Sequence, residues 1–126
     1  MSKTQSTRAH TLPDELVDAV RAAYDKKATG VVVLDLRKGQ AFTDFFLICT
    51  GQNPRQVKAV ADAIEAALGQ HGTKPAHVEG YAQAGWILLD YFNFVVHVFS
   101  PELCRFYDLE RLWGNAERIE ISDPAL

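Results

Sequence analysis

The chain lacks a hydrophobic run long enough to cross a bilayer, for which about 20 consecutive apolar residues are needed. It also lacks internal repeats and low-complexity segments. Its two cysteines, Cys49 and Cys104, lie in an apolar run and in a helical pattern, with no partner at metal-binding spacing. We therefore expect no membrane segment and no metal site, and we predict reduced thiols in a cytoplasmic protein.

Clusters of basic residues are missing as well. The 13 lysines and arginines are scattered, and the formal net charge is −3. Proteins that hold nucleic acid through its phosphates carry clustered lysine and arginine side chains. The charge pattern therefore predicts little direct contact with nucleic acid.

The rest of the composition is typical of one globular domain. Hydrophobic residues make up 48% of the 126 residues and charged residues 23%. Residues 1–10 are polar and contain no acid, so we expect a disordered N-terminal tail there. Residues 11–114 form the predicted domain, and residues 115–126 are predicted to be a loosely held C-terminal tail.

Cap residues and hydrophobic periodicity divide the domain into helices and strands. Thr11 is predicted to cap the first helix, and Asn53, followed by Pro54, is predicted to cap the second, which would end at Gly69 or Gly72. The β-rich runs are Val31–Leu36, Phe42–Thr50, His77–Glu79, Trp86–Tyr91 and Phe94–Phe99, and a last helix is predicted from Pro101 to Trp113. This order predicts an α/β fold in which helices flank a five-stranded mixed sheet.

The segment from Trp86 to Phe99 is the most informative. Its two β-rich runs meet at Phe92-Asn93, which predicts a hairpin with Tyr91 opposite Phe94 and Trp86 opposite Phe99. Because side chains alternate between faces, one face would be almost wholly apolar and would lie under the helices. The residues of that face are Ile87, Leu89, Tyr91, Phe94, Val96 and Val98. The other face, called the mixed face below, would carry Trp86, Leu88, Asp90, Val95, His97 and Phe99.

The mixed face sets two ionisable groups, Asp90 and His97, among apolar side chains. Such a surface is costly to bury without polar partners and costly to expose to water. We interpret it as a protein-docking face anchored by Trp86, since tryptophan is enriched among residues that dominate interface energy. Asp90 and His97, as diagonal neighbours about 7–8 Å apart, are also compatible with an acid–base pair or with a buried structural pair.

Several stretches in a particular order carry a family resemblance. They are Asp44 to Gly51, Arg55 to Val57, Glu79-Gly80, Trp86 to Asp90, Val96 to Phe99 and Leu109 to Trp113. Together they resemble the ribosomal silencing factor family, RsfS, also called Iojap. The resemblance extends from about Leu12 to Trp113, which is nearly the whole chain.

This resemblance implies a translation repressor that catalyses no reaction and needs no cofactor. The protein would bind the large ribosomal subunit through the subunit's fourteenth ribosomal protein, on the face that meets the small subunit, and would block subunit joining when nutrients are scarce. The resemblance also implies a fold similar to that of nucleotidyltransferases, without their catalytic acids. The implied partner-binding residues are Trp86, Leu88, Asp90, His97, Glu79 and Tyr81.

One position departs from the family pattern. The family commonly has Gly-Asp at the hairpin turn, whereas this chain has Phe92-Asn93. Since the position often needs positive φ, a phenylalanine there suggests a different turn or a longer loop, which leaves the strand register open. Phe92 would also be exposed at the tip of the hairpin.

Two other functions stay open. A nucleotide-handling enzyme would need two or three carboxylates on neighbouring strands to hold magnesium, but Asp35-Leu36-Arg37 has an arginine where the second acid would stand. Cys49 is a poor candidate nucleophile, because apolar surroundings raise the pKa of a thiol. His71 and His77 have no further ligands at metal-binding spacing and are predicted to be surface residues. A homodimeric interaction module would instead self-associate through the same hairpin.

Overall fold

The computed structural model describes residues 12–39, 43–103 and 116–121. Its elements in chain order are α1 (Asp14–Asp25), β1 (Thr29–Asp35), β2 (Phe45–Thr50), α2 (Pro54–Gly69), β3 (His77–Glu79), β4 (Trp86–Asp90), β5 (Phe94–Phe99) and β6 (Glu117–Glu120). Residues 101–103 are helical, and the rest of the predicted last helix lies outside the described residues. Within the described parts of the chain, no helix is long and apolar enough to cross a membrane.

The strands form one sheet in the order β3-β4-β5-β2-β1-β6. β2 and β5 run parallel, and every other neighbouring pair is antiparallel. The predicted α/β class with a mixed sheet and flanking helices is therefore confirmed. The predicted number of five strands is wrong, because β6 adds a sixth.

β6 lies in the segment that was assigned to the C-terminal tail. It pairs with the free edge of β1, with Ile119 opposite Val33. Ile119 and Ile121 are buried on the helix side of the sheet, and the Tyr24 hydroxyl of α1 donates a hydrogen bond to the carbonyl of Ile121. The short alternation of apolar residues here therefore marks a strand, and its pairing covers an edge that β1 would otherwise expose.

Helices α1 and α2 differ in how they begin. α2 has the predicted cap, since the Asn53 side chain accepts a hydrogen bond from the Gln56 N–H at 2.9 Å, and it ends at Gly69 as expected. α1 begins at Asp14 with Pro13 at the cap position, and no side chain of the described residues caps it. Thr11, the predicted cap of α1, lies outside the described residues.

The hairpin has the predicted register. Trp86 lies opposite Phe99, Leu88 opposite His97, and Asp90 opposite Val95. All six residues of the predicted apolar face are buried in the cluster that also contains the inner faces of α1 and α2. The phenylalanine at the turn has therefore not changed the loop length; instead, Phe92 adopts φ +70°.

The opposite side of the sheet has a second apolar cluster. Its buried members are Val32, Leu34, Leu36, Phe46, Ile48, Val95 and Phe99. Leu103 and Ala116 pack against it, together with Trp86 and Leu88. The middle of the sheet is thus buried on both sides, which limits the exposed part of the mixed face to the strands nearest the β3 edge.

Candidate functional site

The mixed face of the hairpin continues onto the neighbouring strands β2 and β3. This extended surface divides into two regions, which we call the margin and the centre. The centre consists of Val95, His97 and Phe99 on β5 with Phe46 and Ile48 on β2, all at most 4% exposed. The margin consists of His77 and Glu79 on β3 with Trp86, Leu88 and Asp90 on β4. Its β3 residues are exposed and its β4 residues are partly buried. Cross-strand pairing sets Glu79 beside Leu88 and His77 beside Asp90, so all five margin residues share one face.

Trp86 is the largest side chain of the margin, and it is held in place from below. Its indole ring stacks on Phe99 with the ring centroids 5.0 Å apart and an interplanar angle of 25°. The indole Nε1–H donates a hydrogen bond to Nδ1 of His97 at 3.1 Å. The indole N–H is therefore satisfied within the domain, and the partly exposed remainder of the ring offers apolar area.

His97 differs from its predicted role as a direct contact, because it is 4% exposed and belongs to the centre. Desolvation by burial lowers the pKa of His97 to about 4, so the imidazole is neutral at pH 7. Because Nδ1 accepts the bond from Trp86, the proton of the neutral ring lies on Nε2. Nε2 is buried and has no hydrogen-bond partner among the residues that the structure describes. The ring of Phe46 meets the imidazole edge-on at 4.6 Å.

The two carboxylates of the margin have local partners. Oδ1 of Asp90 accepts a hydrogen bond from the Phe92 N–H at 2.9 Å, which ties this side chain to the hairpin turn. Oε2 of Glu79 lies 2.5 Å from Nε2 of His77. His77 was predicted only as a surface histidine; the period-2 alternation of β3 already placed it on the same face as Glu79.

Gly80 explains how the chain turns from β3 towards β4. It has φ +79°, and a Cβ atom there would lie 2.0 Å from the carbonyl oxygen of Trp86. The chain therefore passes directly against the backbone of Trp86, at a position that only glycine tolerates.

Tyr81 does not share this face. Its hydroxyl donates a hydrogen bond to Oδ2 of Asp62 at 3.1 Å, and this bond raises the pKa of the phenol. The ammonium of Lys58 lies 5.2 Å from the centre of the Tyr81 ring. Both contacts are with α2, which packs on the opposite side of the sheet. The structure thus brings together Trp86, Leu88, Asp90 and Glu79, and it separates Tyr81 from them.

The position that would matter most for nucleotidyl transfer is occupied by an ion pair. Arg37 donates from Nε to Oδ1 of Asp35 at 3.0 Å and from Nη2 to Oδ2 at 2.7 Å. These bonds hold the pKa of the Asp35 carboxyl below its usual value. Arginine therefore occupies the oxygens that a magnesium ion would need.

Two other side chains considered as reactive sites are Cys49 and His71. Cys49 is 0% exposed, as predicted for a structural thiol. His71 is exposed and lies 3.6 Å from Oδ2 of Asp18. Across residues 12–39, 43–103 and 116–121, no group of three His, Cys, Asp or Glu side chains is arranged to hold a metal ion.

Comparison with known proteins gives a consistent result. Residues 9–125 match the family model described as "Ribosomal silencing factor during starvation". Proteins named ribosomal silencing factor RsfS are 42% identical over 103 residues in Halalkalibacterium halodurans (82% of this chain and 88% of that protein) and 38% identical over 98 residues in Bacillus subtilis (78% and 83%). A crystal structure from Bacillus halodurans superimposes with a TM-score of 0.74 at 42% identity, covering 84% of this chain and 96% of the other.

Proposed function

Because the chain belongs to the ribosomal silencing factor family, we propose that it represses translation by binding the large ribosomal subunit and keeping the small subunit from joining. The proposed contact is the subunit's fourteenth ribosomal protein, on the intersubunit face. The effect is steric: a folded domain occupies volume that the small subunit needs. It acts in the cytoplasm under nutrient limitation, and no bond is made or broken.

The observation that carries this proposal is the construction of the margin. A partly exposed indole is fixed by a stacked phenylalanine and a buried histidine, beside the carboxylates of Asp90 and Glu79. A fixed aromatic ring loses little conformational entropy on binding, and tryptophan is a frequent hot-spot residue. The neighbouring carboxylates favour a basic partner and speed its approach.

The energetic requirement is modest. A factor present at about 100 times its dissociation constant stabilises the unjoined large subunit by roughly 2.7 kcal/mol. An interface of about 800 Å² on each partner is the usual size for a specific complex. Steric exclusion therefore needs only sufficient occupancy of the site.

An enzymatic function receives less support from the same residues. The Asp35 carboxylate is engaged by Arg37, and Asp44 is an exposed residue at the start of β2. A nucleotide-handling enzyme would gain thermal stability from nucleotide with magnesium, and would lose that gain on Asp35→Asn or Asp44→Asn. We expect no such shift.

The proposal is tested by sedimentation with isolated large ribosomal subunits. We expect the wild-type protein to cosediment with large subunits and to reduce the yield of joined ribosomes when small subunits are added. Trp86→Ala should lose both effects while its circular dichroism spectrum stays that of the wild type. If folded Trp86→Ala cosediments as well as wild type, the margin is not the docking face. If the wild type self-associates and does not bind large subunits, the chain is instead a homodimeric module.

A further inference from the structure

The tip of the β4–β5 hairpin has an unfavourable backbone conformation. Phe92 has φ +70°, and the N–H of Asn93 donates a hydrogen bond to the carbonyl of Tyr91 at 2.8 Å. A three-residue turn of this kind with positive φ at its centre is rare and strained for a residue with a Cβ atom. Glycine would adopt the same conformation without that cost.

The side chain of Phe92 is also unfavourably placed for an isolated domain. It is 74% exposed, compared with 41% for Tyr81 and 39% for Val78, the other exposed large hydrophobic residues in the described parts of the chain. Phe92 therefore combines backbone strain with an aromatic ring in water, and neither feature stabilises the monomer.

The surrounding residues hold this conformation in place. The N–H of Phe92 donates to Oδ1 of Asp90 at 2.9 Å, and its carbonyl accepts a bond from the Thr43 hydroxyl at 2.6 Å. Thr43 is 5% exposed, so a buried side chain supports the exposed tip. A third bond, from the Asp44 N–H to the Asn93 carbonyl at 3.1 Å, joins the tip to the start of β2. A ring on such a rigid support loses little freedom when it binds.

We propose that Phe92 is a second aromatic anchor, which inserts into an apolar hollow of the same basic ribosomal protein that the margin binds. This proposal rests on the proposed function. Asp90 connects the two anchors, because its side chain belongs to the margin and also bonds to the Phe92 backbone.

The charges around the tip select this partner over a second copy of the chain. Asp44 is exposed and bonds to the turn through its backbone N–H, whereas Asp90 is partly exposed and bonds to the turn through its carboxylate. A hollow with a rim of lysine and arginine would complement these carboxylates. Two tips packed against each other would bring like charges together, which disfavours that arrangement.

The experiment compares wild type with Phe92→Gly and Phe92→Asn in a titration of isolated large subunits followed by sedimentation. Both substitutions remove the ring and suit a positive φ. We expect both variants to melt at or above the wild-type temperature and to bind roughly 10- to 100-fold more weakly. Val78→Ala is the matched control: it removes exposed apolar area from β3, on the helix side of the sheet, and should bind as wild type does.

Each other outcome has a definite meaning. If both Phe92 variants bind as tightly as wild type, the second anchor does not exist and the proposed function stands. If Phe92→Gly alone binds weakly, the rigidity of the turn matters and the ring does not. Equal weakening by Val78→Ala would also refute a specific contact. A wild-type dimer that Phe92→Gly dissolves, with subunit binding unchanged, would assign the tip to self-association. If the wild type itself does not bind large subunits, the proposed function is refuted, whatever the Phe92 variants do.

Discussion

The centre and the margin of the mixed face lie on adjacent strands of the same sheet, and their side chains are in different environments. In the centre, Val95 and Phe99 are each 1% exposed. In the margin, Trp86, Leu88 and Asp90 keep part of their surface in water. The two regions meet where Trp86 stacks on Phe99 and bonds to His97. The centre thus supports the margin, which is the proposed contact surface.

Ionisable residues on one face of mixed polarity therefore have different roles in the two regions. An ionisable residue in the centre, such as His97, is kept neutral by burial and orients the indole of Trp86 through a hydrogen bond. An ionisable residue in the margin, such as Glu79, stays accessible to a partner. We therefore predict that substitutions in the centre change stability and that substitutions in the margin change binding.

The largest expected effect is a loss of stability when a side chain of the centre is truncated. Phe46→Ala should lower the free energy of unfolding by about 3–5 kcal/mol, because it leaves a cavity beneath a well-packed sheet. Urea denaturation followed by circular dichroism measures this change. A loss below about 1 kcal/mol would show that the centre is not tightly packed.

The next effect is on binding through the margin. Trp86→Ala should weaken binding to large subunits by about 100-fold, or roughly 3 kcal/mol, which is in the range of hot-spot residues. Its loss in stability should be smaller than that of Phe46→Ala, since part of the indole is already in water. A result in the opposite order, with stability lost and binding kept, would reverse the roles of the two regions.

A third effect tests the state of His97 through pH. Because the folded pKa of about 4 is below the unfolded value near 6.5, the unfolded chain binds the proton first. The stability from the neutral ring is complete above pH 6.5 and is lost as the pH falls towards 4. Between pH 7 and pH 5 we expect a loss of about 2 kcal/mol.

The pH dependence is measured as the difference between wild type and His97→Phe, since other groups titrate equally in both. The wild type should lose more stability than the variant on going from pH 7 to pH 5. Equal losses in both proteins would mean that His97 titrates normally in the folded state.

The smallest effect concerns the charges of the margin. The double variant Asp90→Asn and Glu79→Gln should slow association with large subunits a few-fold at low salt and change little at high salt, where exposed charges are screened. Asparagine at position 90 keeps an oxygen to accept the Phe92 N–H, so unfolding should be nearly unchanged. Stopped-flow measurement at two ionic strengths checks the rate. An effect independent of salt would argue against electrostatic steering.

Local pattern was enough to predict the hairpin and its faces. The alternation from Trp86 to Phe99 has a period of two, and a shift of one residue would place Ile87 and Leu89 on the wrong side. The cap at Asn53 was predictable for the same reason, since the helix start depends on side chains within four residues. Burial of the apolar face therefore fixes the strand register even with Phe92 at the turn.

Features that depend on distant contacts were not predictable. The burial of His97 depends on what packs across the centre, and the position of Tyr81 depends on Asp62 of α2. β6 was missed because its four residues, Glu117–Glu120, include three charged ones, and only the free edge of β1 gives them a partner. None of these contacts is visible in the local order of residues.

The sequence by itself determined which side chains of the hairpin share a face, because alternation along a strand is a property of the backbone. It also determined the cap of α2 and the acidic character of the chain. Only the tertiary structure decided that Trp86 stays partly exposed while His97 beneath it is sealed. Exposure is decided by residues far away along the chain, since the layers that cover a strand come from other elements of the fold.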